Sequence, residues 1–487
     1  MTSTSANYQL LINGELRDAE RGATFVVNDP ATGLVVAEVA LASLSDLEAA
    51  ASAARTAFDQ GPWPRLAPFA RGRVLQAIAD GIRTRFDELA QLETRCGGKT
   101  LANSRNEVDA SARVFEYYAG AADKFFGDTI PMGMDVLDFT LREPVGVVAQ
   151  ITPWNFPLLA ASWKTAPALA CGCAVILKPA SHTPITSLIL GQIALAAGIP
   201  AGILNVLPGP GGQLGNTIAR HPMINKIAFT GETRTGAELL KQSADDIKRV
   251  SLELGGKSPN IVFADADLDK AAVAAVSGAF GNAGQSCSAR TRLFVERGIL
   301  ETFTKRLVNG TEQFRVGDPM ADDTNMGPLI SSSSWCTVND YVEGAVAEGA
   351  DLLCGGGRPA GLPEGHYFSP TVLANATNDM RAAREEIFGP VVVVIPFDDE
   401  THAIAMANDN EYGLNASVWS RDVGKAVRVA RALQCGMVSV NSNGSASRYG
   451  LFAPFGGHKK SGLGRELSMR ALELYTEEKN IFIDHSD

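Results

Sequence analysis

VGVVAQITPWNFPLLAASWKTAPALACGCAVILKPA, residues 145–180, holds one full period of the pattern that decides the fold. An apolar run (Val145–Ile151) breaks at a turn, a stretch dense in Ala and Leu follows (Leu158–Ala170), and a second apolar run (Ala174–Leu177) stops at Lys178-Pro179. Short runs that are apolar throughout, separated by helical stretches, are strands covered on both faces, as in parallel βαβ units. The rhythm continues to residue 263 with runs at Ile203–Leu207, Lys226–Phe229, Val250–Leu254 and Asn260–Phe263. Helical stretches at Ile185–Ala197 and Gly212–Arg220 lie between them, and Gly198-Ile199-Pro200 punctuates a helix end. An open doubly wound sheet is expected. Such sheets bind ligands outside the carboxyl ends of their strands, where Trp154-Asn155, Lys178-Pro179 and Gly231 fall.

A second α/β pattern runs from about 256 to 445, with apolar runs at Leu293–Val295, Val391–Pro396, Ala416–Trp419 and Met437–Val440. Helical stretches near 266–280, 338–348, 401–408 and 423–433 separate them. Residues 125–143 belong to neither repeat, and Asn480-Ile481-Phe482-Ile483 reads as an alternating strand with no partner nearby in sequence. Both would suit subunit contacts.

The length, 487 residues, fits about three domains at roughly 150 residues each. With 45% hydrophobic and 20% charged residues the composition is that of an ordinary globular protein. A net charge of −11 repels phosphate backbones and anionic lipid surfaces, so neither nucleic acid nor membrane is expected as a partner. Seven cysteines without paired spacing and six scattered histidines give no disulfide framework and no metal site. The first residues lack the basic and apolar regions of a signal peptide, and a cytoplasmic protein is expected.

Three residues stand out chemically. Cys287 follows an apolar helix in Gly281-Asn282-Ala283-Gly284-Gln285-Ser286-Cys287-Ser288-Ala289, a segment of small residues where a substrate carbon could reach the thiol. The alternative is a buried cysteine acting as a small hydrophobe. Glu253 ends an apolar strand, where burial raises a carboxyl toward general-base range; a salt bridge to Lys257 is the alternative. Asn155 ends another strand and could donate to a developing oxyanion or simply form a turn. Two glycine-rich turns, at 209–215 and 231–236, match no phosphate-binding pattern by themselves.

Taken in order, Pro153-Trp154-Asn155-Phe156-Pro157, Lys178-Pro179-Ala180, Phe229-Thr230-Gly231, Leu252-Glu253-Leu254-Gly255-Gly256-Lys257-Ser258-Pro259, Gly284-Gln285-Ser286-Cys287, Glu386-Ile387-Phe388-Gly389-Pro390 and Pro454-Phe455-Gly456-Gly457 through Ser461-Gly462 resemble the motif set of the NAD(P)-dependent aldehyde dehydrogenase superfamily, hydrolytic type. The resemblance covers essentially the whole chain. It implies an α/β fold with a doubly wound Rossmann-like cofactor domain (1–124 and 146–254), an α/β catalytic domain (255–450), and a small β oligomerisation element (125–145 and 470–487) of a homodimer or homotetramer. It also implies oxidation of a small-molecule aldehyde to the acid with NAD or NADP. Cys287 would be the nucleophile, Asn155 the oxyanion donor and Glu253 the base that activates water against the thioester, with Lys164 and Glu466 on the path by which the proton leaves. Lys178 would meet the adenine ribose and Glu386 the nicotinamide ribose, with Phe388 beside the ring. Ile151, Thr152, Pro153, Trp154, Leu254 and Gly255 would line the same cleft, and Gly211, Gly215, Phe229, Gly231 and Thr235 would flank adenine and pyrophosphate.

Two positions depart from the family's pattern. Ser181 stands where a glutamate usually accepts from the ribose hydroxyls, which removes a charge that would repel a 2′-phosphate and implies tolerance of NADP. Glu232 replaces the usual serine of the pyrophosphate turn, an unfavourable charge unless it faces solvent or pairs with Arg234. The resemblance lines the substrate tunnel with Phe156, Leu159, Trp163, Ser286, Ser288, Tyr449 and Phe455, a set suited to a medium-sized hydrophobic or aromatic aldehyde. Arg290, where glycine is frequent, could instead meet the carboxylate of a semialdehyde; the expectation is that it pairs elsewhere in the protein. A non-catalytic NAD-binding scaffold is the third reading, opposed by the presence of Cys287, Glu253 and Asn155 together.

Overall fold

The computed structural model describes residues 6–444 and 452–486. Val147–Ile151 (β1), Ala174–Lys178 (β2), Leu204–Val206 (β3), Lys226–Thr230 (β4) and Arg249–Glu253 (β5) lie parallel in the order β5-β4-β1-β2-β3. Pro157–Cys171 (α1), Ile185–Ala196 (α2), Gly211–Arg220 (α3) and Thr233–Gln242 (α4) connect them. Every residue of β1 and β2 is buried, which is why these runs carry no alternation. The strand order reverses at β1, so the crevice of this sheet opens between the carboxyl ends of β1 and β4.

The second sheet holds Pro259–Val262 (β6), Arg292–Glu296 (β7), Thr371–Ala374 (β8), Val391–Phe397 (β9), Asn415–Trp419 (β10) and Met437–Val440 (β11). Their order is β8-β9-β7-β6-β10-β11, all parallel, with Asp351–Cys354 antiparallel on the β8 edge. Helix Leu268–Phe280 (α5) joins β6 to β7. The run Asn260–Phe263, read above in rhythm with the first five, therefore belongs to the second sheet, where it pairs with β7 and β10. Periodicity alone cannot tell the last strand of one sheet from the first of the next.

Residues 254–258 link the end of β5 to the start of β6, so the carboxyl edge of the first sheet adjoins the amino edge of the second. Three further pairings are long-range and were not in the sequence reading. Leu10–Ile12 and Glu15–Arg17 extend the first sheet beyond β3, and Gly462–Leu463 adds to β5, all antiparallel. The tail strand Thr476–Asp484 finds its partner in Val136–Pro144, paired antiparallel from Thr476 opposite Pro144 to Asp484 opposite Val136, with Thr129–Ile130 on the far side. No helix among the described residues is long and apolar enough to cross a membrane.

Candidate active site

Register brings the cofactor candidates into one row. Lys178 lies opposite Ile151, Ile151 opposite Phe229, and Phe229 opposite Leu252, with Glu253 beside Thr230 one residue further on. The ends of four parallel strands thus set Lys178, Thr152 and Glu253 along one edge. Lys178 is buried and donates to the carbonyl of its neighbour Pro179 at 3.0 Å; burial holds its ammonium down at about 8. The Thr152 hydroxyl is buried without a partner.

Across this edge Gly255 N–H donates to Thr233 Oγ1 (3.2 Å) and Gly256 N–H to Glu386 Oε1 (3.1 Å). A Cβ at Gly255 would stand 2.2 Å from Glu386 Oε2, so this position must be glycine for the Glu386 carboxylate to sit there. Burial pushes that carboxyl up to about 7, against the Gly256 N–H and Lys257. Trp154 meets Phe388 edge to face at 5.4 Å. Gly211 and Thr233 open α3 and α4, whose first N–H groups follow β3 and β4 at the same end of the sheet, and Gly211 and Gly215 face open space. A row of strand ends, a free buried hydroxyl, an open glycine turn and a carboxylate against a glycine cradle fit a dinucleotide. Ser181 is partly exposed just beyond Lys178. Glu232 is exposed, 3.4 Å from Arg234, and so resolves its charge by facing water.

Cys287 approaches from the second sheet. After α5 the chain makes a left-handed turn, Asn282 (φ 53°), Ala283 (φ 55°) and Gly284 (φ 69°). Two of these are not glycine, a costly conformation held by surrounding contacts. Asn282 Nδ2 donates to the Asn155 carbonyl (3.3 Å) and the Gln285 carbonyl (3.2 Å), while Ile330 N–H donates to Gln285 Oε1 (2.9 Å). Gly284 has no substitute, since a Cβ there would lie 2.1 Å from the Gly389 carbonyl. The turn leaves Cys287 partly exposed, with Ser286 and Ser288 hydroxyls 3.2 Å apart on either side. Asn155, 5% exposed, aims its amide at this segment and donates to the Gln285 carbonyl at 3.0 Å.

Burial, then Glu386 and Glu253, push the Cys287 thiol up to about 12. The protein alone therefore does not supply the lowered pKa that a nucleophilic cysteine needs. Among the described residues neither buried Glu253 oxygen has a hydrogen-bond partner, and Lys257, the alternative salt-bridge partner, has none either. Burial and then Glu466 hold the Glu253 carboxyl well above its ordinary range, with Lys164 and Arg465 opposing. Lys164 and Glu466 form a fully buried ion pair. Leu159 is buried, Phe156 and Trp163 are partly exposed, and Trp163 lies 5.0 Å from Phe455. Tyr449 falls outside the described residues. Arg290 departs from expectation: among the described residues no carboxylate pairs with it, its Nε is buried without a partner, and its one side-chain bond is a long 3.5 Å to Ser439 Oγ.

Sequence reasoning missed Asn282 and Gln285 as supports of Asn155 and the thiol segment. Their signal was present, since both lie in the small-residue stretch, but handedness is invisible in composition.

A family model described as the aldehyde dehydrogenase family matches residues 17–481. Human retinal dehydrogenase 2 is 43% identical over 98% of this chain and 91% of its own. The crystal structure of an NAD-dependent aldehyde dehydrogenase from Sinorhizobium meliloti superposes with a TM-score of 0.97 at 42% identity, covering 99% of this chain and 96% of the other. Betaine aldehyde dehydrogenase from Staphylococcus aureus, in complex with NAD+, gives 0.96 at 40% identity over 99% and 95%. The chain belongs to the aldehyde dehydrogenase family and is an NAD(P)-dependent aldehyde dehydrogenase.

Proposed function

We propose that this enzyme oxidises a medium-sized hydrophobic or aromatic aldehyde to the carboxylic acid by way of a thioester on Cys287. The observation that carries the reading is Glu253, buried with both oxygens unpartnered and close enough to raise the Cys287 thiol. A carboxylate in that state has nothing to do structurally and is free to accept a proton from water. Bound NAD(P) would supply the hydride acceptor and a positive charge near the thiol; Lys178, Glu386, Phe388 and the strand-end row are fitted to hold it.

Cys287 attacks as the thiolate, its proton released to solvent under the positive charge that bound NAD(P) would bring; Sγ bonds to the carbonyl carbon as the C=O π pair moves onto oxygen, so charge appears there only as the bond forms. The Asn155 amide and the Cys287 N–H are the donors offered to it, and they act in the transition state more than on the substrate. Once the carbon is oxidised, Glu253 takes a proton from the water that cleaves the thioester, and the buried Lys164–Glu466 pair beside it receives that proton in turn. The aromatic Phe156, Trp163 and Phe455 support an apolar substrate, and such rings accept either a polyene, as the name of the retinal relative implies, or a quaternary ammonium, as that of the betaine relative does.

Arg290, which has no carboxylate partner among the described residues, favours a second reading, a semialdehyde carrying a carboxylate. Residues 445–451 contain no acid to satisfy it and add Arg448. Ser181 supports use of NADP beside NAD. The edge strand Thr476–Asp484 exposes Phe482 and Ile483, which supports pairing of this sheet with a second copy in a dimer or tetramer. The domain division given above and a cytoplasmic setting accompany this reading. Formation of reduced cofactor from NAD and NADP over aliphatic, aromatic and carboxylated aldehydes, with wild type and Cys287→Ala, tests it. Activity that survives Cys287→Ala refutes the thioester route; preference for carboxylated aldehydes selects the Arg290 reading.

A further inference from the structure

Helix α1 begins directly after Asn155, yet its N-cap is Phe156, whose side chain makes no capping bond. The first N–H groups of a helix need acceptors, which a Ser or Asp at the N-cap ordinarily provides. Here two carboxylates from distant helices do so. Leu158 N–H donates to Glu93 Oε1 at 3.3 Å and Leu159 N–H to Glu107 Oε1 at 3.4 Å. Glu93 lies on helix Phe86–Gly97 and Glu107 on Leu101–Ala121. Lys99, in the link between those helices, joins their other oxygens: its ammonium is 3.1 Å from Glu93 Oε2 and paired with Glu107 Oε2. The Thr186 hydroxyl donates to Glu93 Oε1 as well, and Lys99 Nζ stands 5.1 Å from the Phe156 ring centroid. All three ionisable groups are buried, at 0%, 2% and 4% exposure for Glu93, Lys99 and Glu107.

Burying three ionisable groups to cap one helix is costly when a single polar N-cap residue would serve. What the arrangement adds is a fixed backbone at residues 155–157, held from two other helices rather than from its own loop. We propose that Glu93, Glu107 and Lys99 are a positioning unit for the Asn155 amide. Two carboxyl groups accept from the first turn of α1 and clamp it, and Lys99 joins the two and braces the Phe156 ring. The clamp matters because the Asn155 amide has two N–H donors: one is held by the Gln285 carbonyl in the clamped arrangement, and a fixed strand end keeps the other aimed at the oxygen of the substrate. The proposal rests on the reading of Asn155 as oxyanion donor.

The test is a double-mutant cycle on the full-length enzyme, reading kcat/KM for the best aldehyde together with the thermal midpoint. Glu107→Gln keeps the shape and one acceptor oxygen but turns an NH2 toward the Lys99 ammonium, and is expected to lower kcat/KM about tenfold. In an Asn155→Ala background, where no amide remains to be positioned, the same change should cost less than about twofold. Thr186→Val, a milder change that removes one donor to Glu93, should follow the same pattern with a smaller factor and keeps the test available if Glu107→Gln does not fold. A factor that persists undiminished in the Asn155→Ala background overturns the positioning role and leaves the triad as structure, as does wild-type kcat/KM in Glu107→Gln. Wild-type kcat/KM in Asn155→Ala alone overturns the oxyanion reading itself, a distinguishable result.

Discussion

Replacing Glu253 with Gln separates the two halves of the proposed reaction. The side chain is 4% exposed, has no hydrogen-bond partner on either oxygen, and ends β5 beside the Lys164–Glu466 pair. An isosteric amide therefore disturbs no bond and opens no cavity, so the change in rate reports the lost base. General bases contribute roughly 10²–10⁴ in rate. With no other unpartnered carboxylate offered to the water, the upper half of that range applies, and kcat should fall about 10³-fold, or ~4 kcal/mol in barrier. Formation of the thioester consumes the Cys287 thiolate rather than an activated water, so rapid mixing should still show a burst of reduced cofactor near one equivalent per site, and the acyl adduct on Cys287 should be recoverable by mass spectrometry. Stability gives a second reading with its own sign. Burial raises the folded-state pKa of Glu253 above its ordinary value of 4.5, so the folded protein binds this proton more tightly and loses stability as pH climbs from 4.5 through the raised value. The variant should thus melt above wild type at pH 8, with the gain vanishing toward pH 4. Unchanged kcat, or loss of the burst along with turnover, would refute the assignment.

Gly255→Ala places a Cβ 2.2 Å from Glu386 Oε2 and should raise KM for NAD by at least about tenfold, checked by cofactor titration, with little change in thermal midpoint. Lys164→Met strands Glu466 as a buried charge and should cost about 3–5 kcal/mol in denaturant unfolding, a loss that lessens in Lys164→Met/Glu466→Gln. Inactivation by iodoacetamide without cofactor should rise with pH through 9 without a plateau, because burial, Glu386 and Glu253 oppose the thiolate; Glu386→Gln should be inactivated faster at every pH, and a plateau near neutrality would contradict this. Arg290→Ala should leave kcat/KM for uncharged aldehydes within about twofold, and a selective collapse on carboxylated ones would show that the guanidinium reaches substrate.

How far the sequence reaches depends on the range of the interaction involved. The strand ends that align Lys178, Ile151 and Phe229 were legible because a parallel, doubly covered sheet writes its strands as continuous apolar runs and places ligands at their carboxyl ends. Glu253 was legible for the same reason, as the one carboxylate closing a strand of the first parallel sheet. The pairing of Thr476–Asp484 with Val136–Pro144 was not, since more than three hundred residues separate the partners and nothing local names them. Nor was the triad of Glu93, Lys99 and Glu107, whose carboxylates look in sequence like the solvated face of two ordinary helices. The left-handed turn before Cys287 lay between these cases: Gly281 to Gly284 announces a tight bend, but its hand is imposed by Gly389 and Asn155, which come from elsewhere.

The same division explains why the thiol and its base come from different sheets. Glu253 ends β5 of the first sheet, beside the cleft between β1 and β4 proposed for the cofactor, while Cys287 lies between α5 and β7 of the second. Because residues 254–258 turn the carboxyl edge of the first sheet into the amino edge of the second, Glu253 stays with the cofactor row while the chain returns through β6 and α5 to deliver Cys287 from the opposite side. The Gly255 and Gly256 N–H groups, which bond Thr233 and Glu386, make that link part of the cofactor cradle as well. In the proposed reading, one short segment therefore links the base, the thiol-bearing sheet and the residues that would hold the cofactor. Substitutions within it should accordingly change cofactor affinity and thioester hydrolysis together, whereas substitutions of Trp163 and Phe455 should change aldehyde preference alone.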